Sequence, residues 1–342
     1  MPSLPALPFS LSNLAPFWAE CLANPLVLLG LFVAASLLMI WRLNAIEGKG
    51  FEGTVLGTLI MPYCSGAANL MFAFVMSRAG SDGRVVMENC LVNNATNLTL
   101  ILGLAALLAK GNAGGGGRGK GGSGGKAAAA ERINRLELLF TLVALFLFTG
   151  TLWALAKDGV VDFYDGLVLV GLFLFWQLLH VFEVLKNNVR KSRSLHWSIV
   201  FDLLLIGVCA YGVYVSVDRL VDWVSHAQGR WLNAGNLGWL SGGLMVLPNA
   251  FLALYYARAG RQDIVVSSQV GDGHICIPMC LGLFALGHAM PVPGFFQAGI
   301  YVIAAAGLVH FLAMALLGRL PRLLGLGLLG GYGAFLYLGL FP

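Results

Sequence analysis

The chain is predicted to be an all-α integral membrane protein of ten transmembrane helices, built as two inverted five-helix repeats. Three observations predict it. First, the 342 residues are 58% hydrophobic and 11% charged, with mean hydropathy +0.81. Soluble domains carry about 25% charged residues, so a chain this apolar has a bilayer as its solvent. Second, its apolar stretches reach the ~20 residues that a spanning helix needs. Third, one unusual apolar hairpin occurs twice, over Gly57–Ala106 and Leu237–Leu286, with polar side chains in the middle of each copy.

The ten spans are expected at 25–43, 51–77, 85–109, 136–156, 160–185, 196–222, 231–257, 264–287, 294–316 and 322–341. The polar stretch 186–196 divides them five and five, giving a first repeat over 1–186 and a second over 187–342. Five is odd, so the second set enters the bilayer upside down and the repeats are inverted. Residues 111–126, GNAGGGGRGKGGSGGK, form a Gly-rich basic linker that cannot bury enough apolar surface to fold and is expected to be disordered. The first 24 residues lack Lys and Arg and hold several prolines, unlike a cleavable signal.

Basic residues in the loops set the orientation. Loops one, three, five, seven and nine hold 16 of the 21 Lys and Arg residues; Arg78, Arg84, Lys157, Arg219 and Arg230 lie on the other side. Both termini are therefore expected outside the cytoplasm, in the plasma (inner) membrane. The net charge of +5 reports topology, not nucleic-acid binding. The six scattered cysteines are read as reduced, small and buried.

The two hairpins align by offset. Asn69 pairs with Asn249 and Arg78-Ala79-Gly80 with Arg258-Ala259-Gly260 at 180 residues, and Gly103-Leu104 pairs with Gly282-Leu283 at 179. The first hairpin turns near Ser81–Gly83. Asn69 lies about twelve residues before the turn, ~18 Å at 1.5 Å per residue, and Asn93 and Asn94 lie as far after it. The second turns near Gly260–Arg261, with Asn249 before it and Asp272 after it at the same depth. All fall near the middle of a hydrocarbon core ~30 Å thick.

Polar groups at that depth are costly unless paired or facing water, and an ionisable one marks a candidate functional site. Asn69, Asn93, Asn94, Asn249 and Asp272 are thus the expected ion-binding residues. Thr96, Thr99 and Ser241 are read as helix-to-helix glue. Amide and carboxylate oxygens are hard ligands, suited to Na⁺ or Ca²⁺. Gly57, Gly66, Gly242, Gly243, Pro248, Gly271, Gly273 and Pro278 are expected to let the helices unwind and expose backbone carbonyls. Glu88 sits about a turn and a half outward of Asn93 and is either an acid on the ion's path or an interfacial one. Asp202 in the sixth span is read as pairing near a helix end. Ser65, Asn89, Asn97, Ser268, Gln269 and His274 are further candidates for ion binding or for the path. A transition-metal site at Asp272, His274, Cys276 and Cys280 is not expected, because 272, 276 and 280 drift around the helix face while 274 points away. No Ser-His-Asp set, P-loop or HExxH motif occurs, so the chain is not expected to be an enzyme or to need a cofactor.

These residues resemble the sodium/calcium exchanger superfamily of cation antiporters. Its members have ten spans as two inverted sets of five, with repeats marked by G-x6-GT-S-x-PE and GNxxGSNxxN. Here Gly57 is followed by Cys64-Ser65-Gly66-Ala67-Ala68-Asn69, and Pro248-Asn249 matches the Pro-Glu pair. Glu88-Asn89, Val92-Asn93-Asn94 and Asn97 follow the second pattern; Ser267-Ser268, Gly271-Asp272-Gly273 and Cys276 follow it more loosely. Asp165-Gly166-Leu167, opening the fifth span, is similar too. The chain departs in having Asn at both glutamate positions. The resemblance implies secondary active cation antiport by alternating access. The ion site would lie at the midplane among spans two, three, seven and eight, with spans one and six sliding across them. It implies Na⁺ or Ca²⁺ as transported ions, with protons also fitting, and the bilayer and inorganic cations as partners. The alternatives are a cation/proton antiporter without calcium selectivity, and a non-transporting membrane sensor or assembly protein that keeps the fold.

Overall fold

The computed structural model describes residues 24–48, 66–109, 124–188, 198–260 and 262–340. It is an all-α membrane protein. Among the described residues, nine helices are long and apolar enough to cross a bilayer. In chain order the helices are α1 (Pro25–Gly48), α2 (Ala67–Arg78), α3 (Gly83–Leu108), α4 (Gly124–Leu155), α5 (Phe163–Asn188) and α6 (Ser198–His226). Then come α7 (Leu237–Met245 and Leu247–Arg258), α8 (Gln262–Ile275, extended through Ala285), α9 (Phe296–Leu317) and α10 (Arg322–Leu340). They occupy the ten expected positions. The tenth segment, α2, is the inner half of the expected span 51–77. Gly57 and Ser65 lie outside the described residues.

Local chemistry sets the helix ends. Asn24 Oδ1 accepts from Leu26 N ahead of Pro25, a residue suited to the first helical position. Asp82 Oδ1 accepts from Arg84 N at the start of α3. At α5, Asp162 Oδ1 accepts from Tyr164 N and Asp165 N, while Asp165 Oδ2 accepts from Asp162 N, a reciprocal capping box. Gly80 (φ 61°) and Gly260 (φ 80°) end α2 and α7 in the left-handed region, where a Cβ would be strained.

The loops segregate to two ends, as alternating spans require. The strand Val160–Val161 (β1) before α5 pairs antiparallel with Met290–Pro291 (β2) before α9, and Ser77 at the end of α2 approaches His288 in the same region. At the opposite end Arg322 donates to Ala109 O, Arg135 donates to Ala315 O, and Arg42 pairs with Asp202 at 3.5 Å. Asp202 thus does pair near a helix end, joining α1 to α6.

Burial ranks the helices. In α3 and α8, 78% of the best spanning window is buried, against 28% in α1 and in α6. The core is therefore α3 and α8 with their hairpin partners α2 and α7. The α1–α6 pair lies outside it, touching α7 through α1 and α2 through α6. Glycines let core backbones approach. A Cβ at Gly103 would lie 2.9 Å from Gly325 O, and one at Gly325 would lie 2.8 Å from Gly103 O. At the equivalent contact between α5 and α8, a Cβ at Gly166 would lie 2.9 Å from Gly282 O.

Two expectations need correction. The glycines and prolines of α7 and α8 do not unwind these helices. Val246 breaks α7 for one residue ahead of Pro248, with helical dihedrals retained. The helix α8 widens to a π-turn over Cys276–Cys280 around Pro278, and α3 does the same over Thr96–Ile101. Widening accommodates a proline whose ring would clash with the carbonyl four residues back, and it keeps the backbone bonded. Gly242 and Gly273 serve packing instead: their Cβ positions fall 2.7 Å from Asn89 O and 2.5 Å from Asn94 Oδ1. The second correction is at the Gly-rich stretch, where α4 begins at Gly124, inside the segment expected to be disordered. Residues 110–123 lie outside the described residues.

Candidate functional site

A continuous chain of buried polar contacts crosses the interface between α3 and α8. Asn93 Nδ2 donates to Asn69 Oδ1 (3.3 Å), which ties α3 to α2. Asn97 Nδ2 donates to Asn93 Oδ1 (3.1 Å) and to Asp272 Oδ2 (2.7 Å), which ties α3 to α8. The Asn249 side chain lies within interaction range of the Asp272 carboxyl, which brings in α7. Cys276 Sγ donates to Asn93 Oδ1 at 3.6 Å. Asn93 and Asn97 lie one helical turn apart on α3, and Asp272 and Cys276 one turn apart on α8, so each pair shares a face. The structure thereby gathers Asn69, Asn93, Asn97, Asn249 and Asp272 into one network.

The network obeys the internal two-fold. Asp272 follows Asn93 by 179 residues, and Cys276 follows Asn97 by 179. The contact Asn97–Asp272 therefore maps onto Cys276–Asn93, and Asn69–Asn93 maps onto Asn249–Asp272. Asn97 was only a secondary candidate from sequence, and Cys276 was no ligand candidate. The 179-residue offset applied to Asn97 was the signal for both.

The remaining candidates separate. Asn94 donates to Cys90 O on its own helix, and its Oδ1 faces Gly273. Asn89 donates to Ser241 Oγ on α7, so Ser241 joins helices as expected. Thr96 bonds back to Val92 O of its own helix and also reaches Tyr332 Oη on α10 at 3.5 Å, as expected of a residue that joins helices, whereas Thr99 bonds back to Ala95 O. Gln269 Nε2 reaches Asn249 O (3.5 Å) and Ser268 Oγ (3.2 Å), while Ser268 donates to Val265 O. Glu88 is half-buried, with Oε2 at the Cα of Gly238 in the first turn of α7 and outside the network. His274 also lies outside it: Nε2 bonds Thr141 O on α4, and the ring packs against Phe148 and Trp176. One buried residue had no sequence signal. His310 on α9 bonds Leu98 O, inside the π-turn of α3.

Five buried oxygens along α3 and α8 have no hydrogen-bond donor among the described residues: Asn89 Oδ1, Asn94 Oδ1, Asn97 Oδ1, Gln269 Oε1 and Asp272 Oδ1. The other unpaired buried atoms, Ser36 Oγ, Arg42 Nε, Thr149 Oγ1 and His310 Nδ1, are scattered over α1, α4 and α9. An acceptor buried without a donor costs about 1–3 kcal/mol. Every unpaired atom along α3 and α8 is an oxygen, an acceptor that either a hydrogen-bond donor or a hard cation can satisfy.

A sequence model of the family described as "Sodium/calcium exchanger protein" matches residues 24–182. No curated protein sequence matches the chain significantly. Among solved structures, the sodium-calcium exchanger NCX_Mj soaked with 100 mM Na⁺ and 10 mM Sr²⁺ superposes with TM-score 0.63 at 19% identity, over 90% of this chain and 95% of the other. The same exchanger in 2.5 mM Na⁺ and 0.1 mM Sr²⁺ gives 0.62 at 20% identity over 90% and 95%, and without Na⁺ and Ca²⁺ it gives 0.60 at 19% over 91% and 94%. The exchangers are transporters and not enzymes. The chain thus has the fold of the sodium-calcium exchanger NCX_Mj along nearly its whole length, and the exchanger family's sequence model matches its residues 24–182.

Proposed function

We propose that the chain is a secondary active cation antiporter that works by alternating access, with its ion site at Asn69, Asn93, Asn97, Asn249 and Asp272. One observation carries this reading: polar side chains of both repeats, Asn69, Asn93 and Asn97 with Asp272, join in one buried network at the α3–α8 interface, where Asn97 Oδ1 and Asp272 Oδ1 have no donor among the described residues. An inverted pair of repeats meeting at such a site is the arrangement by which one ion can be offered to either side of a membrane. The poorly buried pair α1 and α6 is the element that moves, because it is tied to itself through Arg42–Asp202 and held to the core by few surfaces. Antiport then requires only that the bound ion bias two states whose openings face opposite sides. The basic loops put both termini outside the cytoplasm.

Cation/proton exchange is the second reading. It is favoured by Asp272 being the one carboxylate in the network, since a cation and a proton would use the same oxygen in turn. The test is flux in proteoliposomes under imposed Na⁺, K⁺, Ca²⁺ and H⁺ gradients. Saturable uptake of one cation driven by an opposing gradient of another supports antiport. Absence of flux under every gradient would leave a non-transporting sensor or assembly protein. Labelling of single cysteines placed in 111–126 on intact cells, without permeabilisation, would reverse the orientation.

A further inference from the structure

We infer that the site is built for a single positive charge, so that the transported cation is monovalent, and that position 93 is where a second charge can be added with the least change in packing. The inference rests on the transport reading above and names its substrate class. It starts from the two-fold. Asn93 and Asp272 occupy equivalent positions; Asn93 bonds Asn69 of the preceding helix, and Asp272 faces the equivalent Asn249. Each also meets the residue one turn along the opposite helix, Cys276 or Asn97. Asn and Asp have the same shape. Of the position pairs that form this network, 93 and 272 are the pair whose two members already differ as amide and carboxylate, so Asp at 93 would double the charge in a packing the other half of the site already holds.

The charge count is closed by the sequence and the structure together. Residues 54–81, which include the part of the second span outside the described residues, contain no Asp or Glu. Glu88 lies against Gly238, and Asp202 is paired with Arg42 between α1 and α6. Among the described residues one carboxylate, Asp272, therefore stands in the network. Amide oxygens such as Asn97 Oδ1 replace water around an ion but cancel none of its charge. A monovalent ion against Asp272 leaves the buried site neutral. A divalent ion leaves one uncompensated charge out of water, which is disfavoured. The same site holds two charges if a second network position, such as 93, carries one.

The experiment uses the full-length protein, purified and reconstituted, with uptake of radiolabelled Na⁺ and Ca²⁺ as readouts. Wild type should take up Na⁺ saturably and resist competition by excess Ca²⁺. Asn93→Asp should raise Ca²⁺ affinity by ~100-fold or more, the scale of adding a buried partner charge. Its carboxylate keeps the contacts from Asn97 and Cys276, and an Asn69 amide turned to donate would mirror Asn249 on Asp272. The exchange variant Asn93→Asp with Asp272→Asn should return to Na⁺ selectivity, because the count is again one. Asn97→Asp supplies a second carboxylate at a neighbouring position if Asn93→Asp does not fold, and should gain Ca²⁺ affinity in the same direction. Saturable Ca²⁺ transport by wild type would overturn the inference while leaving antiport intact. A folded, transporting Asn93→Asp with unchanged Ca²⁺ affinity would overturn it too. No flux of any cation by wild type would remove the transport reading and this inference with it.

Discussion

The α2–α3 hairpin and the α7–α8 hairpin have nearly the same backbone and different chemistry. Both turn through a positive-φ glycine after an Arg-Ala pair, and both carry a π-turn at matching positions. Both close on a fifth or tenth helix through glycines that admit no Cβ. At the polar centre the first hairpin supplies Asn69, Asn93 and Asn97, all neutral. The second supplies Asn249, Asp272 and Cys276: one amide, one carboxylate and one thiol. Packing surfaces must be repeated for the fold to close on itself. An amide and a carboxylate fill the same space, so a symmetric scaffold tolerates an asymmetric charge.

Removing that asymmetry should have the largest effect. Asp272→Asn makes the two halves of the network chemically alike. It should abolish coupled transport while the protein still elutes as a folded species in detergent, since shape is kept and charge lost. In wild type, apparent cation affinity should fall as pH falls, because a proton and a cation need the same oxygen of Asp272. A pH-independent affinity, or normal transport by Asp272→Asn, would move the coupling residue elsewhere, with Glu88 next to be tried.

Truncating the two equivalent asparagines should separate the hairpins by degree. Asn249 faces a carboxylate and Asn69 bonds an amide. Bonds to charged groups are worth ~1.5–3 kcal/mol and neutral ones ~0.5–1.5 kcal/mol. Asn249→Ala should therefore weaken cation affinity by ~10–100-fold and Asn69→Ala by ~2–10-fold, with turnover less affected in both. Equal losses measured by concentration-dependent uptake would mean that the two halves contribute alike.

Cys276 offers a chemical probe of the second hairpin that the first lacks at the equivalent Asn97. It is buried beside Asn93 and touches Cys90 and Cys280. A small thiol-reactive methanethiosulfonate should block transport by entering along the ion path, and excess transported cation should slow the block. Cys276→Ser should resist it. Block that persists in Cys276→Ser would put the reactive thiol outside the network.

The smallest contrast concerns packing. Gly103→Ala and Gly282→Ala both push a methyl into a close contact, against Gly325 O in one case and Val170 in the other. A backbone oxygen gives way less than the end of a side chain. Each should lower stability by ~1–3 kcal/mol, Gly103→Ala by more, as read by thermal unfolding in detergent. The reverse order would mean that the α5–α8 contact is the tighter one.

The sites where sequence reading and structure part company share a cause. Asn69, Asn93, Asn249 and Asp272 were legible because depth in a bilayer can be counted from the turn, at a fixed rise per residue. Their partners were not, because depth does not give the direction a side chain points around its helix. That direction sent His274 toward Phe148 and Trp176, turned Asn94 back on Cys90, and made Asn97 the bridge between α3 and α8. The glycines were read as points of unwinding, but a glycine's composition signal is the same whether it frees a carbonyl or admits a neighbouring backbone.

By itself the sequence determined the bilayer as solvent, the ten helical positions, the inverted repeat and the depth of the polar centre. All of these follow from apolar run length, loop charge and an offset between two copies, which are properties of a chain read in one dimension. Only the tertiary structure decided which polar atoms meet and which are left without donors. It also decided that the single carboxylate sits opposite an amide of the same shape. These depend on how two helices are rotated and how closely they approach, and that is settled by glycine contacts such as Gly242 against Asn89 and Gly273 against Asn94.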